Sequence, residues 1–455
     1  MQTSLRAKLL HNLGANAYGQ GITILIQLVS VPLYLHFWGV KLYGEWLILS
    51  AIPAYLALSD IGFASVAAND MTMRVANGDR RGALEVYQSI WLFISGVSLL
   101  IGSVLALIVY SVPIAAQFSI THISEAQTRH LLLVLLMYVL VGLQGGVFNA
   151  AFRAAGRYAY GTTLSNTVRL AEWAVSIVGL LLGGGVMVIA VLTLTIRLFG
   201  LLLMWLILLK QERWLRLGTH AASMKQVRRL LKPAVAFMAF PLGLALSLQG
   251  MVLIIGMTLG ATAVVVFSAY RTLTRLLVQV ITMLNQALWP EISAAYGAKQ
   301  MVLVRKLHRN GSTISLWISL AAIALLGVTG QWFVGVWTRH AFAQNDMLFA
   351  LLLASTFLNV IWQTSWVVLM ATNQHQKITL VFIVSAACGL MLGIIVIPLL
   401  GISGSGLVLI FVELPMLFIA INSALHLIDD NWLAYLKSII SIRKFGQFLQ
   451  QNERK

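Results

Sequence analysis

Long apolar runs alternate with short polar breaks along the whole chain, and the lengths of the runs are the first informative quantity. Crossing about 30 Å of hydrocarbon takes roughly 20 helical residues. Twelve runs satisfy this, at approximately 12–36, 42–68, 84–112, 131–152, 160–183, 186–209, 234–258, 262–290, 312–336, 347–371, 378–399 and 403–426. Gly183-Gly184-Gly185 and Gly260 are the turn signals at the two closest junctions. The pattern predicts an all-α integral membrane protein of about twelve transmembrane helices.

Composition agrees with the pattern. Hydrophobic residues make up 59% of the 455, charged residues only 10%, and mean hydropathy is +0.88. Such a chain has too little polar surface to cover a soluble globule of this size. The one cysteine, Cys388, lies in an apolar run and permits no internal disulfide. The amino terminus starts basic but is interrupted by Asn12, Asn16 and Gln20 and has no clean small-residue cleavage site, so it reads as the first permanent helix rather than a signal peptide.

Charge position then matters more than the net charge of +17. Residues 210–232, KQERWLRLGTHAASMKQVRRLLK, carry seven Lys or Arg against the single acid Glu212. Taken alone the stretch suits a nucleic-acid patch, a membrane-surface anchor or a loop joining two helix bundles. Placing the amino terminus in the cytoplasm puts 24 of the 31 Lys and Arg on that side, leaves Lys41, Arg129 and Arg339 outside, and leaves four within the runs. This lopsided distribution follows the positive-inside rule and predicts that both termini are cytoplasmic. The basic stretch becomes an inter-lobe loop, and nucleic-acid binding loses its support because no recognition motif accompanies it.

The expected domains are an amino-terminal six-helix lobe (1–209), the basic loop (210–233), a carboxy-terminal six-helix lobe (234–426) and a cytoplasmic tail (427–455). Gly39 to Gly44 before the second run and Gly260-Ala261-Thr262 before the eighth are separated by about 220 residues, as are Asn77 to Leu84 and Tyr296 to Leu303 after those runs. Six helices per half makes the repeat parallel, and transporters built that way bind substrate between their halves near the midplane.

The four cations inside the runs are the candidate chemistry. Arg169, Arg197, Arg271 and Arg275 each lie roughly 14–20 Å deep at 1.5 Å per residue. A charge at that depth costs a few kcal/mol facing lipid, so these residues belong on interior or hydrated faces. On the eighth run Ser268, Arg271, Arg275, Gln279, Thr282 and Gln286 form one polar stripe at helical spacing. Arg169 and Glu172 are three residues apart and could satisfy each other, while Arg197 could snorkel or meet a carbonyl. Arg271 and Arg275 repel unless an anionic ligand or an acid from another helix, Glu413 being the candidate, offsets them. Four arginines against Glu172 and Glu413 leave an excess of two positive charges, which suits an anion better than a cation.

Asp60 and Glu45, near the ends of the second run, could be gate residues, although a solvated acid at a helix end is the commoner case. The nine histidines fall in loops or near the predicted helix ends. No phosphate-cradling glycine loop, zinc site or hydrolase triad is present, so neither a cofactor nor a metal is expected and the chain does not read as an enzyme.

The run VPLYLHFWGVKLYGEWLILSAIPAYLALSDIGFAS at Val31–Ser65 resembles the start of the Wzx polysaccharide flippases, with Pro32, Gly39-x-x-x-Tyr43-Gly44 and Leu58-x-Asp60-x-Gly62 in that order. Leu259-Gly260, Ser268-Ala269-Tyr270-Arg271 and Trp289-Pro290-Glu291-Ile292-Ser293 are similar to the corresponding second-half region. The resemblance implies the multidrug/oligosaccharidyl-lipid/polysaccharide exporter (MOP) fold, like that of MATE and MurJ transporters, with two lobes around a central cavity and alternating access. It implies a flippase moving an undecaprenyl-diphosphate-linked oligosaccharide, such as an O-antigen repeat, to the external leaflet of a bacterial inner membrane. Arg271, Arg275, Arg197 and Arg169 would line the cavity, Glu172 and Glu413 would serve coupling or ion pairing, and Asn16, Gln20 and Asp60 a portal or gate. The expected partners are the lipid-linked anionic oligosaccharide, membrane lipids and polysaccharide-assembly proteins, with the transporter itself a monomer. A multidrug cation antiporter of the same fold is the alternative reading, and a polysaccharide polymerase or ligase a third.

Overall fold

The computed structural model describes residues 5–57, 60–372 and 374–440, which are helical with no strand among them. The helices of the first half are α1 (Leu5–Ala57), α2 (Asp60–Ala76), α3 (Arg80–Ser111), the short α4 (Ile114–Gln117), α5 (Glu125–Ala154), α6 (Tyr158–Leu181) and α7 (Val186–Gln211). There follow α8 (Met224–Ala245), a π-helical turn at Leu246–Gly250, α9 (Met251–Leu259), α10 (Ala261–Gly297), α11 (Met301–Trp337), α12 (Asp346–Ala371), α13 (Gln376–Leu400), α14 (Ser403–Leu427) and α15 (Trp432–Ile440).

Among the described residues ten helices are long and apolar enough to cross a membrane. The twelve sequence runs map onto these helices once two features are recognised. Run one and the first part of run two are continuous in α1, divided by a bend at Gly39, whose φ of 69° is a conformation that glycine adopts without Cβ strain, and the last part of run two belongs to α2. The fifth run is α6, whose 24 residues hold Arg169 and Glu172 and are therefore less apolar than their neighbours. Large apolar side chains such as Leu99, Leu107, Val328, Trp332 and Leu399 are exposed, as hydrocarbon solvent permits.

The chain divides into two compact units, Met1–Ala245 with Gly260–Val265, and Leu246–Leu259 with Val266–Lys455. In the first unit, one core gathers Phe63, Met71, Tyr87, Phe148 and Phe152 from α2, α3 and α5, together with Leu230 and Ala234 of α8. A second core packs Leu49 of α1 with Ile114, Ile120, Leu131 and Leu132. The basic stretch is docked here. Gln88 of α3 donates to the Arg216 carbonyl at 2.9 Å and accepts from Ala221 N–H at 2.9 Å, and Ser89 accepts from Ser223 N–H at 2.8 Å. Its last part is the amphipathic start of α8, where Arg229 pairs with Asp70 of α2 at 2.6 Å.

In the second unit α12, α13 and α14 pack together, α9 lies on α13, and α11 lies on α12 and α15. Two expectations are corrected. His308 is neither in a loop nor at a solvated end: α11 starts about three turns earlier than its apolar run, and the imidazole is fully buried, 2.9 Å from Ser365 Oγ and stacked on Tyr435. Glu45 is not a solvated acid either. It is 1% exposed and accepts backbone N–H bonds from Thr121 at 2.8 Å and His122 at 3.0 Å, fastening α1 to the turn before α5.

Candidate functional site

Within the first unit, α6 and α7 form a hairpin closed by the glycine turn at Gly183 to Gly185. Glu172 lies nine residues before the end of α6 and Arg197 eleven after the start of α7, so each sits about 14–16 Å from the turn. Equal depth lets them meet. Arg197 Nε donates to Glu172 Oε1 at 2.8 Å and Nη2 to Oε2 at 2.8 Å, a bidentate fork. From α5, Tyr138 Oη donates to Oε2 at 2.8 Å, and the Arg197 guanidinium lies 3.7 Å above the Tyr138 ring centroid. Gly142 of α5 makes room: a Cβ there would stand 2.4 Å from Arg197 Nη1.

The anticipated local pairing of Arg169 with Glu172 is therefore corrected, as is the anticipated snorkelling or carbonyl pairing of Arg197. The planar guanidinium of the neighbouring hairpin helix matches the carboxylate better than a residue three positions away can. Arg169 instead donates through Nη2 to Thr23 Oγ1 of α1, and the Thr23 hydroxyl donates in turn to the Gly19 carbonyl at 2.8 Å. Two cavities adjoin this site. One of about 450 Å³ is lined by Trp46, Ser50, Tyr138, Thr193 and Arg197. The other, about 250 Å³, is lined by Asn149, Ser165, Arg169, Glu172 and Arg197. The Arg197 side chain borders both.

Nearby, Asn16 accepts from Tyr158 Oη of α6 at 3.0 Å, and Gln20 is half-buried on the same helix. The Asp60 side chain lies outside the described residues.

In the second unit, Arg271 and Arg275 stand one turn apart on α10, both half-buried. Arg271 Nη1 donates to the Leu248 carbonyl at 2.7 Å and its guanidinium lies 5.2 Å from the Phe267 ring centroid. Leu248 is inside the π-helical turn, where the wider i→i+5 bonding disturbs the carbonyl ladder, and the guanidinium caps that break. Arg275 has no carboxylate within 4 Å among the described residues, and the acid that acts on it at longer range is Glu413 of α14. Glu413 is held by neutral donors of α12. Trp362 Nε1 reaches Oε2 at 2.6 Å, and Asn359 Nδ2 reaches both oxygens at 3.2 Å. Lower on the polar stripe, Thr282 Oγ1 accepts from Gln363 Nε2 at 3.0 Å.

The structure thus brings Glu172 and Arg197 together directly, Arg275 and Glu413 at a distance, and adds Tyr138, Thr23, Asn359 and Trp362. Asn359 and Tyr138 lie deep in apolar runs, so the depth criterion that singled out the arginines also marks them.

No family model and no curated protein matches the sequence. The structure is similar to an inward-facing multidrug resistance MATE family transporter of the MOP superfamily, with TM-score 0.67 at 16% identity, over 96% of this chain and 97% of that one. It is similar to lipid II flippase MurJ in an inward closed conformation, with TM-score 0.68 at 13% identity over 95% and 92% of the two chains. A MOP superfamily transporter from Pyrococcus furiosus, described as having a binding pocket of reverse polarity, gives TM-score 0.58 at 15% identity over 93% and 94%. The chain therefore has the fold of the MATE and MurJ transporters.

Proposed function

We propose that the protein is a transporter that moves a polyprenyl-diphosphate-linked oligosaccharide, the repeat unit of a surface polysaccharide, from the cytoplasmic to the external leaflet of a bacterial inner membrane. The observation that carries this reading is Arg275, a guanidinium in the hydrocarbon zone with no carboxylate at ion-pairing distance among the described residues. A guanidinium in that state favours an anion, and its planar fork matches phosphate oxygens bidentately. In the first unit Arg169, which among the described residues bonds to the neutral Thr23 hydroxyl, is the corresponding cation without a carboxylate at ion-pairing distance. Arg197 and Arg271 have guanidinium donors engaged by protein groups, Arg271 standing one turn from Arg275 on α10. That MurJ, named a lipid II flippase, shares the fold supports a lipid-linked substrate. Both termini are cytoplasmic on this reading, and no bond is made or broken.

The test is Arg275→Ala at native expression. Surface polysaccharide display falls at least about tenfold, the loss expected from one charge-assisted phosphate contact, and the lipid-linked intermediate accumulates on the cytoplasmic leaflet. Normal display from a folded variant overturns the assignment.

A multidrug cation antiporter is the second reading, favoured by Glu413, whose carboxyl is held by Asn359 and Trp362 and not by a cation. A deletion strain with altered drug sensitivity and intact polysaccharide supports that reading.

A further inference from the structure

We propose that the basic end of the second unit binds the phosphate headgroup of an anionic phospholipid, in a pocket where the end of α12, the start of α13 and the end of α14 meet. The pocket holds about 470 Å³ and is lined by Gln374, Gln376, Lys377, Asn422, Ser423 and His426, together with apolar Leu369, Ile378 and Leu427. Lys377 supplies a fixed positive charge, and three amides, a hydroxyl and an imidazole supply hydrogen bonds. No carboxylate lines it among the described residues. Of the two acids in the turn after α14, Asp430 is occupied by Arg309, whose Nε donates to it at 2.8 Å, and Asp429 is exposed and does not line the pocket. The pocket also contains the positive end of α13, a 25-residue helix whose N-cap residue His375 makes no side-chain cap bond.

Two independent observations place the pocket at the level of lipid headgroups. Beside it runs α15, which buries Tyr435, Ser438 and Ile439 and exposes Leu433, Leu436 and Ile440. An apolar stripe at that spacing on a short terminal helix is the signature of a helix lying in the membrane interface. Trp432 of α15 donates to Asn422 Oδ1, a pocket residue, at 3.1 Å, so the two share one depth. Above the pocket, the faces that carry Lys377, Asn422 and Ser423 continue at helical spacing as exposed Leu380 and Val384 on α13 and Phe418 and Ile419 on α14. A polar pocket beside exposed apolar helix faces suits a two-part ligand, with a phosphate at one end and acyl chains at the other. Free phosphate would use only the first part. Basic pockets between membrane helices on the cytoplasmic side are a recurrent place for anionic headgroups.

The experiment is native mass spectrometry of the delipidated full-length protein in detergent, titrated with phosphatidylglycerol, phosphatidylcholine and inorganic phosphate. The wild type retains one phosphatidylglycerol at least about fivefold better than phosphatidylcholine, and millimolar phosphate does not displace it. Lys377→Ala lowers retention about fivefold, Lys377→Ala with Asn422→Ala lowers it further, and Lys306→Ala, outside the pocket, leaves it unchanged. Lys377→Gln, which keeps the side chain's length and polarity, gives the same loss with an unchanged melting temperature. Equal retention of the two lipids by the wild type, retention unaffected by the double substitution, or displacement of the lipid by inorganic phosphate overturns the proposal.

Discussion

Two half-membrane carboxylates, Glu172 in the first unit and Glu413 in the second, are held in opposite ways. Glu172 is 4% exposed and saturated, with both oxygens forked by Arg197 and one also bonded by Tyr138. Glu413 receives three bonds from the neutral groups Asn359 and Trp362, and its nearest arginine stays beyond ion-pairing distance. The first arrangement cancels a charge and locks α5, α6 and α7 together. The second leaves Arg275 unspent. The same two residue types at similar depth thus yield a structural lock in one unit and an available cation in the other, and only the second can take up a ligand without first breaking a bond.

The largest effect follows from the lock. Arg197→Met strands the Glu172 carboxylate in a low-dielectric site and should destabilise the protein by about 3–5 kcal/mol, as removing one partner of a buried pair does. Adding Glu172→Gln to that variant should restore most of the loss, because no uncompensated charge remains. Thermal unfolding of the purified protein in detergent measures both. A single variant that melts like the wild type would remove the distinction between the sites.

A smaller effect separates the two acids directly. Glu413→Gln keeps an oxygen that can accept from Trp362 and leaves no guanidinium without its fork, so the cost is about 1 kcal/mol. Glu172→Gln, which leaves Arg197 buried without its counter-charge, should cost several times more. Equal losses in the two variants would mean that Arg275 depends on Glu413 as fully as Arg197 depends on Glu172.

The apolar runs were legible because hydrocarbon imposes one length and one polarity on anything that crosses it, and ten described helices have that length and polarity. The depth of Arg169, Arg197, Arg271 and Arg275 was legible for the same reason, since it is a count from a helix end. Their partners were not. Spacing of three and four residues reports neighbours on one helix, so it offered Glu172 to Arg169, whereas the rotation of α7 against α6 gave it to Arg197. The π-helical turn has no periodicity signal, so the carbonyl that engages Arg271 could not be anticipated. Gly142 carries no polar signal, yet the space it leaves holds the Arg197 guanidinium. The amphipathic α15 was hidden in the expected cytoplasmic tail because nine residues are too few to stand out as a run. His308 was misplaced because polar residues at the start of α11 extend the helix beyond its apolar part.

The smallest effect comes from a second carboxylate-arginine fork, at the end of the second unit. Arg309 donates through Nε and Nη2 to Asp430, in the turn after α14, with the same bidentate geometry as the Arg197 pair. Side-chain exposure is much the same in the two forks, 28% and 2% here against 23% and 5% for Arg197 and Glu172, but this one lies in a turn beyond a helix end and not midway along a membrane-length hairpin. Burial alone would raise the Asp430 carboxyl, but hydrogen bonds from Arg309 and Asn431 N–H and the guanidinium charge hold it below the ordinary carboxylate range. A carboxyl depressed in the folded state contributes stability that is complete above its unfolded value, about 3.9, and is lost as pH falls from there through the folded value. Asp430→Asn should therefore cost about 1–2 kcal/mol at pH 7, less than breaking the Glu172 lock because the pair sits beyond a helix end and not in the hydrocarbon zone. The gap between wild type and variant should stay flat from pH 7 to pH 5 and narrow below about pH 4. A gap that widens on acidification would mean that Asp430 is not charged in the folded protein, and the likeness between this fork and the Glu172 lock would be one of geometry alone.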